Sequence, residues 1–202
     1  MKVLSIDFDY FINATMDMRN NIFPNGCDEM DVEELKNKWE YTYSEHTEVC
    51  NIKVVDTFFD FLELIKSHSS HFEAIQIDNS HKYIHSTLEA LRNETVEVLN
   101  IDFHHDMYHL GGDTVNCSNW ARLFLEHNNQ SNYVWCMREN SDTRTLFGEV
   151  ECEKTTDLIG SVTDFLKGDE PIICFVCFSP EWTPPHLLKE YNMLLKALEY
   201  KG

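Results

Sequence analysis

The chain has little positive charge: 16 lysines and arginines stand against 35 aspartates and glutamates, a formal net charge of −19. Nucleic acid and membrane surfaces are themselves anionic, so unaided binding to either is not expected. The same charge suits cationic partners, arginine and lysine side chains among them, although it equally serves plain solubility. No stretch approaches the roughly 18 consecutive apolar residues of a membrane span. The apolar run at the N-terminus is short and already holds Asp7 and Asp9, so no secretory leader is expected. Seven cysteines lack the regular spacing of a disulfide framework, which points to a reducing cytoplasm. Cys174 and Cys177 form a CxxC, but residues three apart on a strand point to opposite faces, so both read as buried core thiols. Repeats, low-complexity tracts and linkers are missing as well, and 202 residues are expected to form one domain.

What is present is a set of apolar runs of strand length: Val3 to Phe8, Phe72 to Ile77, Val96 to Phe103, Tyr133 to Met137 and Ile172 to Phe178. Helical patterns lie between them. Asp31 to His46 is charged and amphipathic, with Asp31 placed as its N-cap. Val54 to Ser67 carries Val55, Phe58, Phe59, Leu62 and Ile65 at helical spacing. Thr87 to Arg92, Asn119 to His127, Asp157 to Lys167 and Pro185 to Tyr200 are further helices. Residues 139–156 are polar and weakly patterned, a long loop or a small excursion. Strands alternating with helices predict an α/β fold, a three-layer α/β/α sandwich around a mainly parallel sheet.

Two acidic clusters follow two of the strands. Ser5-Ile-Asp7-Phe-Asp9 ends the first, and Asn100-Ile-Asp102-Phe-His104-His105-Asp106 ends the third. In open α/β sheets, ligands sit beyond the carboxyl ends of the strands. Side chains at i and i+2 on an extended segment share a face, so Asp7 with Asp9, and Asp102 with His104 and Asp106, are expected in one crevice, and His105 outside it. Carboxylates so gathered and desolvated repel unless a cation joins them. Oxygen ligands with a little imidazole suit manganese or magnesium better than a zinc–thiolate site. Two such ions, about 3.5–4 Å apart, lower the pKa of a shared water towards neutrality, and a two-metal hydrolase is the expected function. A third strand end, Ala74 to His81, supplies an imidazole. His81 and His85 are one helical turn apart, and His81 is nearer the strand.

These segments resemble the signature motifs of the arginase/ureohydrolase superfamily. Its D-x-H-x-D segment matches Asp102, His104 and Asp106, its S-x-D-x-D segment matches Ser5, Asp7 and Asp9, and a histidine just after a strand matches His81. Standard members place the S-x-D-x-D segment late, whereas here it comes first. That rearranged order, with a short chain, is similar to the divergent peptide arginases and their uncharacterised relatives. Their H-H-D-x-Y and N-W features match His104-His105-Asp106-Met-Tyr108 and Asn119-Trp120.

The resemblance implies an arginase-like three-layer fold, two Mn2+ ions per chain and hydrolysis of a guanidinium group to release urea. It implies Asp7 and Asp102 as bridging ligands, with Asp9, His81, His104 and Asp106 as terminal ones. At the offset of the family's catalytic histidine this chain has Asn119, whose amide does not titrate, so His109 or a solvent proton is the expected substitute. Glu181, after the last strand, best matches the glutamate that holds the guanidinium, through two parallel hydrogen bonds. A solvated turn residue is the plainer alternative for it. The substrate implied is an arginine-containing peptide or a small guanidino compound.

The stretch from Tyr108 to Asn119 is expected to line the pocket, its glycines permitting close approach, with Ser118 or Asn116 capping the helix that follows. Three other readings compete. A haloacid-dehalogenase-like phosphatase also begins with a strand and D-x-D, but leaves the second cluster without work. A zinc deacetylase needs fewer carboxylates. An acidic interaction protein needs surface charge rather than carboxylates placed after buried strands.

Overall fold

The structure, a computed structural model, describes residues 1–26, 30–109 and 112–199. Lys2–Asp7 forms β1, and every residue from Val3 onward in it is buried. A strand buried on both faces needs parallel neighbours with helices above and below, and β1 has them. The remaining strands are β2 (Phe72–Asp78), β3 (Glu97–Ile101), β4 (Asn132–Cys136), β5 (Arg144–Thr145), β6 (Gly148–Glu149), β7 (Glu153–Thr155) and β8 (Ile172–Cys177). The helices are α1 (Met16–Asn21), α2 (Val32–Glu45), α3 (Thr57–His68), α4 (Ile84–Ala90), α5 (Trp120–His127), α6 (Leu158–Phe165) and α7 (Leu188–Leu198). One sheet runs β2-β8-β1-β3-β4-β7, parallel throughout, while β5 and β6 form a separate antiparallel hairpin.

Alternation along the strands sorts the core into two halves. Leu4, Ile6, Leu99, Ile101, Cys174 and Val176 face one helical layer, with Phe58, Phe61 and Ile65 of α3, Val162 of α6 and Leu194 of α7. Val3, Val98, Phe175 and Cys177 face the other, with Ile84 and Leu88 of α4 and Trp120 and Phe124 of α5. The fold is therefore the expected three-layer α/β/α sandwich. Cys174 and Cys177 fall on opposite sides of the sheet, as two residues three apart on a strand must.

All five expected strands form. Asp31 caps α2 by accepting from the Glu34 N–H at 2.8 Å, and Asp157 caps α6 through the Gly160 N–H at 2.9 Å. Residues 139–156 prove to be an excursion: they carry the β5–β6 hairpin and return as β7 on the sheet edge. The helix expected from Thr87 begins earlier, at Ile84, because a 3-10 turn over His81–Tyr83, capped by Ser80, leads straight into it. The short α1 was not foreseen; Thr15 caps it, accepting from the Met18 N–H at 3.2 Å. Tyr200, expected at the end of the last helix, lies outside the described residues. Among the described residues no helix is long and apolar enough to cross a membrane.

The sheet order decides where the site lies. From β1 the chain goes to β2 on one side and then to β3 on the other, so β1 is the topological switch point. Crevices open at the carboxyl ends of strands at such points. The last strand, β8, inserts between β2 and β1, so the ends of β2, β8, β1 and β3 stand side by side.

Candidate metal centre

The strands end before the polar motifs do. β1 stops at Asp7 and β3 at Ile101, and each motif then turns in the same way. Asp7 Oδ1 accepts from the Asp9 N–H at 3.0 Å, and Asp102 Oδ1 accepts from the His104 N–H at 2.8 Å. Both are Asx turns, in which a short acidic side chain bonds the backbone two residues on. This corrects the expectation that extension carries Asp9 and His104 into the crevice. A turn delivers them instead, Asp9 within a 3-10 turn over Phe8–Phe11. Alternation does hold one step earlier: Ser5 with Asp7, and Asn100 with Asp102, point to the α4–α5 side of the sheet.

Asp106 also departs from extension, with φ at 51°, the left-handed region that non-glycine residues seldom adopt. Two contacts hold it there. Its carbonyl accepts from the N–H groups of Ala121 and Arg122 at 3.1 and 3.4 Å, and its carboxylate accepts from Trp120 Nε1. The start of α5 is thus satisfied by Asp106 rather than by Ser118 or Asn116. The Asn116 side chain instead accepts from the Ser118 N–H and hydroxyl, within the loop.

His81 sits at the centre of the first group. Its Nε2 lies 2.6 Å from Ser5 Oγ, and its ring stacks on Phe175 and packs against Trp120. That seating aims Nδ1 at three carboxylates, 2.9 Å from Asp102 Oδ2, 2.9 Å from Asp106 Oδ2 and 3.5 Å from Asp7 Oδ2. Yet Nδ1 is buried and makes no hydrogen bond of proper geometry. Buried polar atoms are nearly always satisfied, and an imidazole nitrogen facing carboxylate oxygens at this spacing belongs to a group that could hold a cation.

The second group adjoins it through Asp102. His104 Nδ1 lies 3.1 Å from Asp9 Oδ2 and 3.8 Å from Asp102 Oδ1. Asp9 is also held by Arg19, with Nη1 3.3 Å from Oδ2. The donor atoms of Asp9, Asp102 and His104, and those of His81, Asp102 and Asp106, each lie within 4.8 Å of one another. Oxygen-rich donors of this kind, with one imidazole apiece, fit Mn2+ or Mg2+. All six residues expected as ligands therefore converge.

Burial and mutual repulsion shift the charges at the centre. Burial, then Asp9 and Asp102, push Asp7 up to about 8, and burial, then Asp106, push Asp102 up to about 7. Burial disfavours charge on the histidines also, but the carboxylates win. Asp106 and Asp102 hold His81 well above its ordinary value, and Asp9 lifts His104 to about 9. Asp9 goes the other way: despite burial, His104 and Arg19 hold it below the usual carboxylate range.

Several residues not expected as ligands complete the site. Ser179, at φ 47°, donates its hydroxyl to Asp7 Oδ2. Trp182 packs on the His104 ring at 4.6 Å and donates through Nε1 to the Gly26 carbonyl at 3.1 Å. Asn100 donates to Tyr133 and Asp102 beneath the cluster. Cys177 brings its sulfur near Asp7 and His81. The strand-end position of Ser179 and Cys177 was a usable signal; the contacts of Arg19 and Trp182 depend on packing alone.

A crevice of about 430 Å³ opens over the cluster, lined by Asp7, His104, Asp106, Tyr108, Ser118 and Trp182 among others. The expected lining by the Tyr108–Asn119 loop is met by Tyr108, Cys117 and Ser118. Leu110 and Gly111 of that loop lie outside the described residues. Cys117 is disulfide-bonded, contrary to the expectation from cysteine spacing, because pairing depends on which loops meet in space. Cys50, Cys136, Cys152, Cys174 and Cys177 are free thiols.

The other expected site residues are placed as follows. His105 is buried away from the crevice, between the Arg144 carbonyl and the Met107 N–H, and burial lowers its pKa. His85 lies in a separate groove with Glu89 and His127. Asn119 is buried, but its amide is committed to its own loop, accepting from Asn116 N–H and donating to the Thr114 carbonyl. It is not brought to the ligand cluster as a proton carrier. His109 stands exposed, with its ring against Phe147 at the hairpin tip. Glu181 is only 7% exposed, which removes the solvated-turn alternative, and it sits in the turn between Ser179 and Trp182.

No protein-family model, curated protein or solved structure matches the chain.

Proposed function

We propose that this chain is a dinuclear manganese hydrolase of the ureohydrolase type, acting on the guanidinium group of arginine, most aptly arginine within a peptide. One observation carries the reading: the ends of β1, β2 and β3 bring two imidazole nitrogens and four carboxylates together at one place, with His81 Nδ1 left unsatisfied. The His81-side and His104-side ions would share Asp7 and Asp102, with His81 and Asp106 completing one position and His104 and Asp9 the other. When bound, such a pair supplies an activated water close to neutral pH.

The chain's own residues would do the rest. Water adds to the guanidinium carbon, the bond to the side-chain nitrogen breaks, and that nitrogen takes a proton, leaving ornithine and urea. Trp182 offers an aromatic wall beside His104 on which a planar cation can lie. Glu181, one residue before it, is the proposed carboxylate partner for the guanidinium. His109 stands exposed against Phe147, outside the crevice lining, so a solvent proton is the proposed source for the leaving nitrogen. The formal charge of −19 favours a cationic substrate.

The rival readings have less support. An acidic interaction protein has no use for carboxylates that are 0–4% exposed, as Asp7, Asp9, Asp102 and Asp106 are. A phosphatase of the D-x-D type leaves Asp102, His104 and Asp106, which gather around His81 and Asp9, without a role. The cytoplasm is the proposed compartment: five free thiols favour it, while the Cys117 disulfide counts against it.

The test is elemental analysis after manganese loading, with urea release assayed from arginine and from an arginine-containing peptide. Two ions per chain with urea released supports the reading, and the better substrate separates free from peptidyl arginine. No retained metal and no urea refutes it.

A further inference from the structure

Cys177 is a fully buried free thiol at the end of β8, and no step above uses it. Strand pairing puts it at the cluster. In the parallel register of β1 and β8, Asp7 stands opposite Cys177, and residues so paired share a face of the sheet. Phe175, two residues earlier on that face, stacks on the His81 ring with the planes 7° apart. Sulfur, carboxylate and imidazole are thereby gathered: the donor atoms of Asp7, His81 and Cys177 lie within 4.8 Å of one another. Cys177 Sγ lies 3.5 Å from Ser179 Oγ, whose own hydrogen bond goes to Asp7 Oδ2. His81 Nδ1, buried and without a hydrogen bond, is available to the same ion.

The other free thiols differ. Cys174 faces the opposite layer, Cys136 lies 3.8 Å from the Tyr10 hydroxyl, Cys50 is exposed and Cys152 half-buried. Among the described residues none of these joins a group of metal-binding donors.

The six ligands proposed above offer oxygen and nitrogen, which suit Mn2+ and Mg2+. A thiolate adds little for those ions and much for Zn2+ or Cd2+. Three protein donors of mixed sulfur, nitrogen and oxygen, with water in the fourth place, make an ordinary shell for zinc. The thiol proton passes to solvent as such an ion binds.

We infer that Cys177 gives the centre a second mode of metal binding, in which a thiophilic divalent ion is seated by Asp7, His81 and Cys177 and excludes the Mn2+ pair. The inference rests on the proposed metal centre through Asp7 and His81, which both modes need. The ratio of free zinc to free manganese then decides which ion the centre holds.

The experiment loads the metal-free full chain with Zn2+ for X-ray absorption, and with Co2+, a coloured stand-in for zinc, for optical absorption. One sulfur neighbour at about 2.3 Å from zinc is expected, with a thiolate-to-cobalt charge-transfer band in the near ultraviolet. Cys177→Ser should lose both signals, whereas Cys50→Ser and Cys152→Ser should keep them. Zn2+ should displace Mn2+ from the unaltered chain at a concentration lower by about tenfold or more than from Cys177→Ser, equivalent to about 1.4 kcal/mol. Electron paramagnetic resonance reads the released Mn2+. The affinity of Cys177→Ser for Mn2+ itself should be unchanged.

Zinc or cobalt bound without a sulfur neighbour overturns the inference and leaves the carboxylate centre standing, as does a sulfur signal that survives in Cys177→Ser. If Cys177→Ser loses Mn2+ along with Zn2+, Cys177 serves packing and its role in selecting ions is overturned. No bound ion of any kind overturns both the inference and the proposed centre. Should Cys177→Ser fail to fold, X-ray absorption of the unaltered chain still decides whether sulfur is a ligand, and Cys177→Ala repeats the competition.

Discussion

Ser5 Oγ stands 2.6 Å from His81 Nε2, although the two residues are 76 positions apart in the chain. The contact fixes the imidazole so that its other nitrogen faces Asp102 and Asp106. Partners of this kind, one bond removed from the metal, set the tautomer and the ring orientation of a histidine ligand. Ser5 shares a strand face with Asp7, so one strand end supplies both contacts to His81.

Ser5→Ala is accordingly expected to weaken Mn2+ binding by about 10–100-fold while the fold persists. Calorimetric titration beside a circular dichroism spectrum checks this. An unchanged affinity would mean that Phe175 and Trp120 alone orient the ring.

Asp102 lies between both histidines, whereas His105 turns away into the wall beneath Arg144. Asp102→Asn should abolish binding of both ions. His105→Ala should keep them and lower stability by about 1–3 kcal/mol, because the Met107 N–H loses its partner in a buried setting. Metal content and urea denaturation curves separate the two effects, and equal metal content in both variants contradicts the site.

The shifted carboxylates and imidazoles predict how pH acts. Asp7 and Asp102 titrate at about 8 and about 7 in the metal-free fold against an ordinary 3.8. His104 titrates at about 9 against 6.5. A raised folded pKa contributes stability at low pH that is lost as pH climbs through the folded value. The metal-free protein should therefore weaken as pH rises through these three values, while Mn2+, which binds the deprotonated ligands, should stabilise it more over the same interval. Melting temperatures with and without Mn2+, at about pH 6 and about pH 9, measure the difference. An increment that is flat or falls with pH would contradict the ligand assignment. Asp9, held low, should contribute the opposite dependence, lost only in acid.

Glu181→Gln should spare both ions and impair turnover of a guanidinium substrate by about 10²-fold or more, the usual scale for losing a charge-assisted partner in a closed site. Steady-state urea release beside metal analysis decides it. Unimpaired turnover would remove Glu181 from the substrate and leave the centre intact.

Much of this molecule was written locally. Apolar runs of five to seven residues ended in Asp-x-Asp and Asp-x-His, so strand positions, the cap at Asp31, the three layers and the gathering of four carboxylates and two imidazoles at strand ends were legible, whereas the Asx turns that deliver Asp9 and His104 were not. Other contacts exist only because distant segments were brought together. Inserting β8 between β2 and β1 sets Ser179 against Asp7 and Trp182 over His104. Packing α1 beneath the β1 turn drives Arg19 onto Asp9 and Phe103. The sequence by itself determined which strand ends carry clustered carboxylates and imidazoles, since strand periodicity acts over a few residues. Tertiary structure alone decided which ends are neighbours and which oxygen must be shared with an arginine, because strand order and side-chain packing act between residues with no fixed separation along the chain.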